Sequence, residues 1–436
     1  MKDPLSRRGF LAASALALSA PLVATAKTPT DFDAVVIGAG AAGLAAARRL
    51  RDRRRSFVVL EARDRVGGRA FTERASLGLP YDQGAHWLHN AHQNPFMDIA
   101  NDLGRSLVLS PLADARFFDN REPGPNGAVE LERASTRLVR RLGWNSLWRR
   151  DFAPTRIGLK DRWQRAAADL AAFTMAVDVD KLSFDDFATL DAGDDYVVAG
   201  GYGQLVVDHA VGIPVRLNHA VRKIRWGAHD RVEVSGDYGT VTARNCIITL
   251  PTSVLASDAI VFEPALPTAK RQSFEDLRGG DFFKVGMRVS QIPTDLPEYC
   301  FDIGHARAGR GLAFHFDQLD PIVTMISSGS FARELAGLHR TELFAFARSE
   351  LTHVTDKQVA QSVERFTTHD WRGDRFAQGA YSVCRVGASS ARADYAEPVS
   401  DRLFFAGEAA GGDMAVTVAG AHNSGLAAAD LADRAV

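Results

Sequence analysis

A strand, a glycine-rich turn and a helix near the start of the sequence constrain the fold more than any other feature. Residues 34–37 are a short apolar run typical of a buried parallel strand, and Gly38, Gly40 and Gly43 follow in the spacing G-x-G-x-x-G. The first glycine permits a tight turn, the second lets the backbone approach a pyrophosphate, and the third lets the helix pack closely on the strand. Because free N–H groups at a helix start attract anions, the pattern predicts an α/β, Rossmann-like domain that holds a dinucleotide.

A carboxylate at the end of the next strand supports this prediction. Residues 57–60 form a second apolar run, and Glu61 follows it, roughly 20 residues after the glycines. A carboxylate in that position can accept hydrogen bonds from both hydroxyls of an adenosine ribose. The motif and Glu61 together fit NAD and FAD equally well.

Two further segments favour FAD. Residues 67–69 are Gly-Gly-Arg, in which the glycines permit close approach and the guanidinium suits a phosphate, and a plain NAD dehydrogenase does not need such a second turn. Near the C-terminus, the strand-like residues 403–406 lead through Glu408 and a glycine-bearing loop to a helix from about Ala419. The N-terminus of that helix is suited to stabilise the anion of a reduced flavin.

Length, charge and cysteine content exclude several other functions. The chain has 436 residues, of which 46% are hydrophobic, which is enough for two interleaved domains. The formal net charge of −1 argues against nucleic acid as a partner. Cys246, Cys300 and Cys384 have no spacing typical of a metal site or a redox pair, so we expect neither. The sequence leaves the oligomeric state open.

The first 26 residues indicate an export signal that is not part of the folded domains. Residues 6–11 read SRRGFL, an apolar segment follows over residues 11–24, and residues 24–26 form a small-residue cleavage site. This pattern is typical of a twin-arginine signal, so we expect the twin-arginine export machinery as a partner, cleavage after Ala26 and a periplasmic protein. A retained membrane anchor is the alternative.

Several blocks give the chain a specific resemblance to a known family. From about Phe32 to the C-terminus it resembles the flavin-dependent amine oxidases, which comprise monoamine oxidases, polyamine oxidases and bacterial relatives. The resemblance is thin between residues 100 and 190. The blocks that carry it are the glycine loop with Glu61, the Gly-Gly-Arg turn, DQGAHWLH, VAGGYGQLV with VRKIRW and IITLPTSVL, FEPALP, FFKVGMRV, and FFAGE with GAHNSG.

The resemblance implies FAD as the cofactor and suggests which residues contact it. Glu61 would bind the adenosine ribose, Arg69 the phosphates, Glu408 the ribityl–phosphate part, and the Val418 backbone the isoalloxazine ring. Val221 would lie by the adenine, although an ordinary strand valine fits that position as well. The full set of expected contacts is Gly38, Gly40, Ala42, Gly43, Glu61, Ala62, Arg63, Gly68, Arg69, Gly84, Ala85, His86, Trp87, Val221, Pro251, Trp371, Gly407, Glu408, Thr417, Val418 and Ala421.

The resemblance also indicates how the flavin is attached. Relatives with covalently bound flavin carry a cysteine shortly after the glutamate of the final Gly-Glu pair or near the block that contains the tyrosine matching Tyr381. Here Ala380 precedes Tyr381, and Ala409 and Ala410 follow Glu408. We therefore predict non-covalent FAD.

The implied activity is oxidation of an amine. A hydride passes from the carbon next to nitrogen to flavin N5, and reoxidation by O2 gives an imine, later an aldehyde or ketone, and hydrogen peroxide. Lys284 is the first catalytic candidate because it lies in a strand-like run where a lysine is costly to bury, and in the family the matching lysine reaches N5 through a water. The resemblance places Trp371 against the flavin and Tyr381 beside the substrate amine.

The substrate is less well defined. Thr417 stands where relatives often have a second cage aromatic, which argues against a typical arylalkyl monoamine. The GAHWLH block is similar to polyamine oxidases, so His86 is a candidate contact for substrate nitrogen, with a purely structural histidine as the alternative. We therefore expect a small-molecule amine, with polyamines as candidates. An acidic run is interpreted as a solvated linker; its members are Asp185, Asp186, Asp191, Asp194 and Asp195.

The predicted layout is discontinuous, and two alternative functions stay open. Residues 32–89, 190–280 and 401–436 would form the FAD-binding domain, and residues 90–189 and 281–400 a mixed α+β substrate-binding domain. One alternative is a desaturase or oxidase of a non-amine substrate on the same fold. The other is a flavin-binding scaffold or assembly factor without turnover.

Overall fold

The computed structural model describes residues 32–112, 115–119, 122–123, 127–146, 151–159, 162–227, 231–302 and 310–435. Two large sheets organise this part of the chain, one of eight strands and one of seven. The predicted export signal, residues 1–26, lies outside the described residues.

The eight-stranded sheet contains the strand that the glycine pattern predicts. Phe32–Ile37 pairs in parallel with Phe57–Leu60 on one side and with Gly239–Ile248 on the other, and both faces of its apolar run are covered. From one edge, the strand order is Val261–Glu263, Val221–Arg225, Val232–Gly236, Gly239–Ile248, Phe32–Ile37, Phe57–Leu60 and Val215–Arg216, with Leu403–Phe405 parallel to the end of Gly239–Ile248.

The seven-stranded sheet is largely antiparallel. Its one parallel pair among the described strands joins Tyr299–Asp302 to Arg116–Asp119. The strand order is Arg365–Thr368, Phe282–Arg288, Ile322–Ser328, Leu312–Phe316, Tyr299–Asp302, Arg116–Asp119 and Glu122–Pro123. Two small ribbons complete the described strands, Thr72–Glu73 with Tyr81–Asp82 and Leu107–Leu109 with Tyr196–Val198.

Most of the remaining regular structure among the described residues is helical. The α-helices are Ala41–Asp52, Pro95–Asp102, Gly127–Ser146, Arg162–Thr174, Phe184–Phe187, Tyr202–His209, Thr252–Ala256, Thr268–Asp276, Gly329–Ala336, Arg340–Val354, Lys357–Gln361, Ala391–Ala396 and Val418–Arg434. Short 3-10 turns occupy Pro154–Ile157, Glu408–Ala410 and Gly412–Met414. The described part of residues 90–189 is mainly helical, with Gly127–Ser146 and Arg162–Thr174 as its longest helices.

The first and last helices pack against each other beside the glycine loop. Ala41–Asp52 is an alanine-rich helix, and a Cβ added at Gly425 of Val418–Arg434 would lie 2.1 Å from the carbonyl oxygen of Ala42. Small residues therefore allow the close approach, and the N-termini of both helices point toward the same edge of the sheet as the loop.

The predicted fold class is confirmed: a Rossmann-type α/β unit is combined with a second, mixed sheet. The residue boundaries of the two domains stay a prediction. Within the described residues, we find no helix that is both long enough and apolar enough to cross a bilayer.

Candidate active site

The glycine loop is shaped by contacts that leave no room for side chains. Gly38 has a φ of 101°, a left-handed conformation that favours glycine. A Cβ added at Gly43 would lie 1.9 Å from the carbonyl oxygen of Gly38. Gly40 bridges to Gly67 of the second turn, and Gly67 N–H donates to the Ala39 carbonyl at 2.8 Å. The two predicted phosphate-facing turns therefore form one backbone cradle.

Glu61 is fixed at the mouth of this cradle. The residue is buried, and its carboxylate accepts hydrogen bonds from the backbone N–H groups of Ala39, at 2.7 Å, and Arg63, at 2.8 Å. Each carboxylate oxygen keeps a second lone pair for a ribose hydroxyl. The Arg63 guanidinium forms a bidentate pair with Asp374, at 2.8 and 2.9 Å. The predicted contact of Arg63 with FAD is therefore expected from its backbone and the aliphatic part of its side chain.

A cavity of about 1280 Å³ is lined by residues of the cradle and by residues of both large sheets. It exceeds the roughly 300–1,000 Å³ that hold a drug-sized ligand, so a dinucleotide and a small substrate fit together. Every residue that we expected to contact FAD lines it except Gly43, which packs the helix against the loop instead. The catalytic candidates Lys284, Trp371, Tyr381 and His86 line it as well.

Lys284 lines this cavity and is buried, with 6% of its surface exposed. It lies on strand Phe282–Arg288, and its Nζ donates to the backbone carbonyls of Asp82, at 2.5 Å, and Gly84, at 2.6 Å. Burial lowers the pKa of Lys284 from 10.5 to about 8, and the nearby charge of Asp82 opposes this shift. One of the three ammonium donors remains for a group in the cavity.

The predicted aromatic residues Trp371 and Tyr381 line the same cavity as Lys284. The indole Nε1 of Trp371 donates to the Gln83 carbonyl at 3.0 Å, and its ring lies 4.2 Å from that of His369. The Tyr381 hydroxyl donates to the Thr174 carbonyl at 2.5 Å, and its ring lies 5.9 Å from Phe282. Both rings are therefore held in place by hydrogen bonds to the backbone.

His86 presents one unpartnered nitrogen. Its Nδ1 lies 3.1 Å from a carboxylate oxygen of Asp82, whereas its Nε2 is buried without a hydrogen-bond partner among the described residues. Asp82 also accepts the backbone N–H groups of Tyr202 and Gly203 at the start of helix Tyr202–His209. Burial alone would raise the pKa of Asp82, but the bonds from His86, Thr72 and the Tyr202 backbone outweigh it and hold that pKa below its usual range.

A second histidine, which the sequence did not reveal, lies against the first. The His315 ring is 5.1 Å from that of His86 and 5.4 Å from that of Trp87, and its Nε2 lies 3.1 Å from a carboxylate oxygen of Glu298. Burial lowers the pKa of His315, and the bond to Glu298 opposes that shift. The only signal was a polar residue in the apolar strand Leu312–Phe316.

Beyond these polar groups the cavity is largely aromatic and aliphatic. Phe117 stacks on Phe301 with 5.2 Å between ring centroids, and Phe173 meets Phe282 edge to face. Two carboxylates also line this end, Asp195, which pairs with His89 at 2.9 Å, and the exposed Glu132. This end therefore offers an apolar channel with negative charge along part of its wall.

The loop before the last helix carries Thr417 at the position where the second cage aromatic is missing from the sequence. Thr417 caps helix Val418–Arg434, since its Oγ1 accepts the Gly420 N–H at 2.9 Å and donates to the Met414 carbonyl. Val416 has a φ of 64°, which is rare for a β-branched residue, and it lines the cavity beside Tyr381 in place of a second ring.

The interpretation of the acidic run as a solvated linker is wrong for Asp186. Only 3% of this residue is exposed, and its carboxylate forms a bidentate pair with Arg392. Asp191 and Asp195 are also paired, with His92 and His89. A distant arginine cannot be recognised as a partner from sequence spacing, which explains the error.

The comparison with known families decides the identity of the site. The model of the family described as flavin containing amine oxidoreductase matches residues 41–174 and 132–432. The chain belongs to this family. It is therefore a flavin-dependent oxidoreductase of the class that acts on amines, and its cofactor is FAD. The glycine cradle, the buried Glu61 and the large cavity fit that cofactor.

Individual relatives agree with this membership of the amine oxidoreductase family. The chain is 29% identical to polyamine oxidase 4 of Oryza sativa subsp. japonica, over 91% of this chain and 87% of that protein. It is 25% identical to human lysine-specific histone demethylase 2, over 97% of this chain and 56% of that protein.

Solved structures share the fold. A putrescine oxidase bound to putrescine is 21% identical and superimposes with a TM-score of 0.77, over 92% of this chain and 99% of that one. The cyclohexylamine oxidase of Brevibacterium oxydans IH-35A is 22% identical, with a TM-score of 0.77 over 93% and 99% of the two chains.

The cysteines of this amine oxidoreductase lie away from the cavity. Cys246, Cys300 and Cys384 are buried as free thiols, and none lines the cavity among the described residues. Burial raises the pKa of each thiol, which disfavours the nucleophilic thiolate. This arrangement is compatible with non-covalent FAD.

Proposed function

We propose that the protein is an exported, O2-dependent oxidase of polyamine-like amines. FAD, when bound, accepts a hydride equivalent from the carbon next to the amine nitrogen, and O2 then removes the two electrons, so that an imine and hydrogen peroxide form. The observation that carries the proposal is the buried Lys284 ammonium on the cavity wall between the cofactor cradle and the aromatic channel.

Lys284 is proposed to assist the reaction with dioxygen. Two carbonyls hold its Nζ, and the remaining donor serves a water or an oxygen species in the cavity. A fixed positive charge in a dry site stabilises negative charge that develops on dioxygen. The charge of Lys284 is therefore the property that the reaction uses.

His86 is proposed to receive the amine. Because Asp82 binds Nδ1, the proton of a neutral imidazole lies there, and Nε2 presents its lone pair. Because Nε2 is buried, the rings packed on His86 must move for the amine to reach it. An amine N–H then donates to that nitrogen, and an arriving ammonium gives up its proton to it, which leaves the nitrogen lone pair that C–H cleavage requires. Trp371 and Tyr381 confine the reacting carbon and exclude water.

The preference for polyamine-like amines is the finer part of the proposal. Asp195 and Glu132 line the channel and supply negative charge for a second cationic nitrogen, while the phenylalanines suit the methylenes between two nitrogens. The similarity to a polyamine oxidase supports the same choice.

Anaerobic addition of amines to the FAD-loaded protein tests the activity. Putrescine, a longer polyamine, cyclohexylamine and phenylethylamine are added separately, and the visible flavin absorbance is followed. We expect polyamines to bleach the flavin fastest and peroxide to appear once air returns. Faster bleaching by cyclohexylamine or phenylethylamine overturns the polyamine preference alone, and an unchanged spectrum with every amine overturns the activity.

Export is proposed from the leader sequence alone, because residues 1–31 lie outside the described part. The full chain, and a variant with Arg7→Lys and Arg8→Lys, would be expressed and fractionated in a bacterium with the twin-arginine machinery. We expect the unaltered chain in the periplasm, shortened after Ala26, and the variant in the cytoplasm. Equal distribution of the two proteins contradicts this route.

A further inference from the structure

A buried ion pair links the helical region before residue 189 to the segment just before the last strand. Arg392 binds Asp186 in a bidentate manner, with Nε–Oδ1 at 2.6 Å and Nη2–Oδ2 at 2.8 Å. The two side chains are only 10% and 3% exposed, although 206 residues separate them in sequence. Burying two charges costs free energy unless further hydrogen bonds satisfy them.

Arg392 continues the link to Glu408 through one hydroxyl. Its Nη1 donates to Ser382 Oγ at 2.8 Å. Since a guanidinium can only donate, Ser382 Oγ accepts that bond and its own proton goes to Glu408 Oε2, 2.7 Å away. The direction of both bonds is thus fixed. We call Asp186, Arg392, Ser382 and Glu408 the latch.

Glu408 is the end of the latch that faces the cofactor cavity. Its other oxygen, Oε1, accepts the Ser382 N–H and an Arg69 N–H, both at 3.1 Å. Glu408 and Arg69 line the cavity, whereas Asp186, Ser382 and Arg392 are absent from its described lining. The latch therefore acts through Glu408 rather than by touching a bound molecule.

The charge of Glu408 explains why such support is needed. A carboxylate in the cavity that also receives the FAD diphosphate is repelled by the phosphate charges. Arg69 offsets that charge directly, and Arg392 offsets it through the Ser382 hydroxyl. Removing the hydroxyl leaves one Glu408 oxygen without its donor, so that the charge of the carboxylate beside the phosphates is less well offset.

We infer that Asp186, Arg392 and Ser382 are positioning residues that couple FAD binding to docking of the helix Phe184–Phe187 against the helix Ala391–Ala396. Coupling of this kind is reciprocal: if the docked helix strengthens FAD binding, bound FAD must stabilise the docked helix by the same factor. The inference rests on FAD as the cofactor and not on the proposed substrate.

Ser382→Ala is the cleanest variant, because it cuts the link to Glu408 and keeps the Asp186–Arg392 pair. Its matched control is Ser273→Ala, another buried serine, whose hydroxyl donates to the Lys270 carbonyl outside the cavity lining. The dissociation constant of FAD is measured by titrating apoprotein. We expect roughly tenfold to hundredfold weaker binding for Ser382→Ala, as for loss of a hydrogen bond to a charged group, and no change for the control.

The double variant Asp186→Leu with Arg392→Met tests the other end of the latch. Replacing a buried ion pair by apolar residues often leaves stability unchanged, so this chain should fold. We expect weaker FAD binding and, in limited proteolysis, the loss of FAD-dependent protection around residues 151–195. Thermal unfolding of each apoprotein separates a lower overall stability from a change in coupling.

FAD affinity within twofold of the unaltered protein for Ser382→Ala overturns the inference. So does FAD-dependent protection of residues 151–195 that survives in both variants. If the double variant does not fold, the FAD affinity and the proteolytic protection of Ser382→Ala alone test the inference. None of these measurements uses an amine, so their failure is distinguishable from failure of the proposed oxidase activity.

Discussion

The two halves of the cavity are built by different means. At the cofactor end, backbone carries the geometry: Gly38 adopts a left-handed φ, Gly43 has no space for a Cβ, and N–H groups of the loop bind Glu61. At the amine end, side chains from distant segments carry it, as in the His86–His315 contact. Substitutions at the cofactor end should therefore impair folding and FAD affinity, whereas substitutions at the amine end should lower reaction rates.

The largest effect is expected from Gly43→Ala. The new Cβ would lie 1.9 Å from the Gly38 carbonyl oxygen, so the loop or the first helix must shift. We expect FAD-loaded protein to be lost almost completely, as measured by the ratio of flavin to protein absorbance. Gly337→Ala is the control, because its Cβ would meet neighbours at an ordinary 3.5 Å. Normal loading of Gly43→Ala would contradict the backbone-built cradle.

The next effect is a pH dependence of reoxidation. Burial holds the pKa of Lys284 at about 8, so its ammonium fraction falls about tenfold per pH unit above that value. We expect the rate at which O2 restores the flavin spectrum to fall above pH about 8. In the unfolded chain the pKa of Lys284 is near 10.5. Burial of the charged side chain therefore lowers the free energy of unfolding by its full amount below pH about 8. This destabilisation disappears as the pH rises from about 8 to 10.5. A rate that stays constant up to pH 9.5 would refute the role of the charge.

A smaller, purely kinetic effect is expected from Glu298→Gln. Loss of the carboxylate leaves His315 without its charged partner and loosens its packing against His86 and Trp87. We expect anaerobic bleaching by amines to slow about tenfold through misplacement, with FAD affinity unchanged. Glu233→Gln, an exposed carboxylate of the eight-stranded sheet, serves as the control. Weaker FAD binding in Glu298→Gln would break the division between the two halves.

The smallest effect is expected from Thr417→Ala. The cap of the last helix loses the bond to the Gly420 N–H, which costs about 1 kcal/mol of unfolding free energy. A slightly lower thermal midpoint of the apoprotein measures this cost. Thr417→Ser keeps the hydroxyl and should restore the midpoint. A thermal midpoint of Thr417→Ala equal to that of the unaltered apoprotein would contradict the capping role.

The sequence predicted the cofactor half well because its determinants are local. A glycine spacing, a following helix and an acid at the end of the next strand lie within about 30 residues, and each has a backbone reason. Lys284 was predicted from its place in an apolar run and from the family resemblance, and the structure shows it buried on the cavity wall, while its catalytic role stays a prediction.

The amine half and the latch depend on pairs that sequence spacing does not reveal. His315 meets His86 only because strand Leu312–Phe316 lies beside that segment, and Arg392 finds Asp186 from 206 residues away. An acidic run in isolation resembles a solvated loop, and an arginine resembles a surface residue. Only the fold shows that the two charges are buried together.

The most direct test of the central claim is the reaction of the reduced protein with O2 in Lys284→Met. Lys223→Met is the matched control, a strand lysine that pairs with Glu263 at the surface. We predict that Lys284→Met binds FAD and bleaches with amine but recovers its colour with O2 about a hundredfold or more slowly, while Lys223→Met behaves as the unaltered protein. Recovery of Lys284→Met at the normal rate would contradict the role of the buried ammonium.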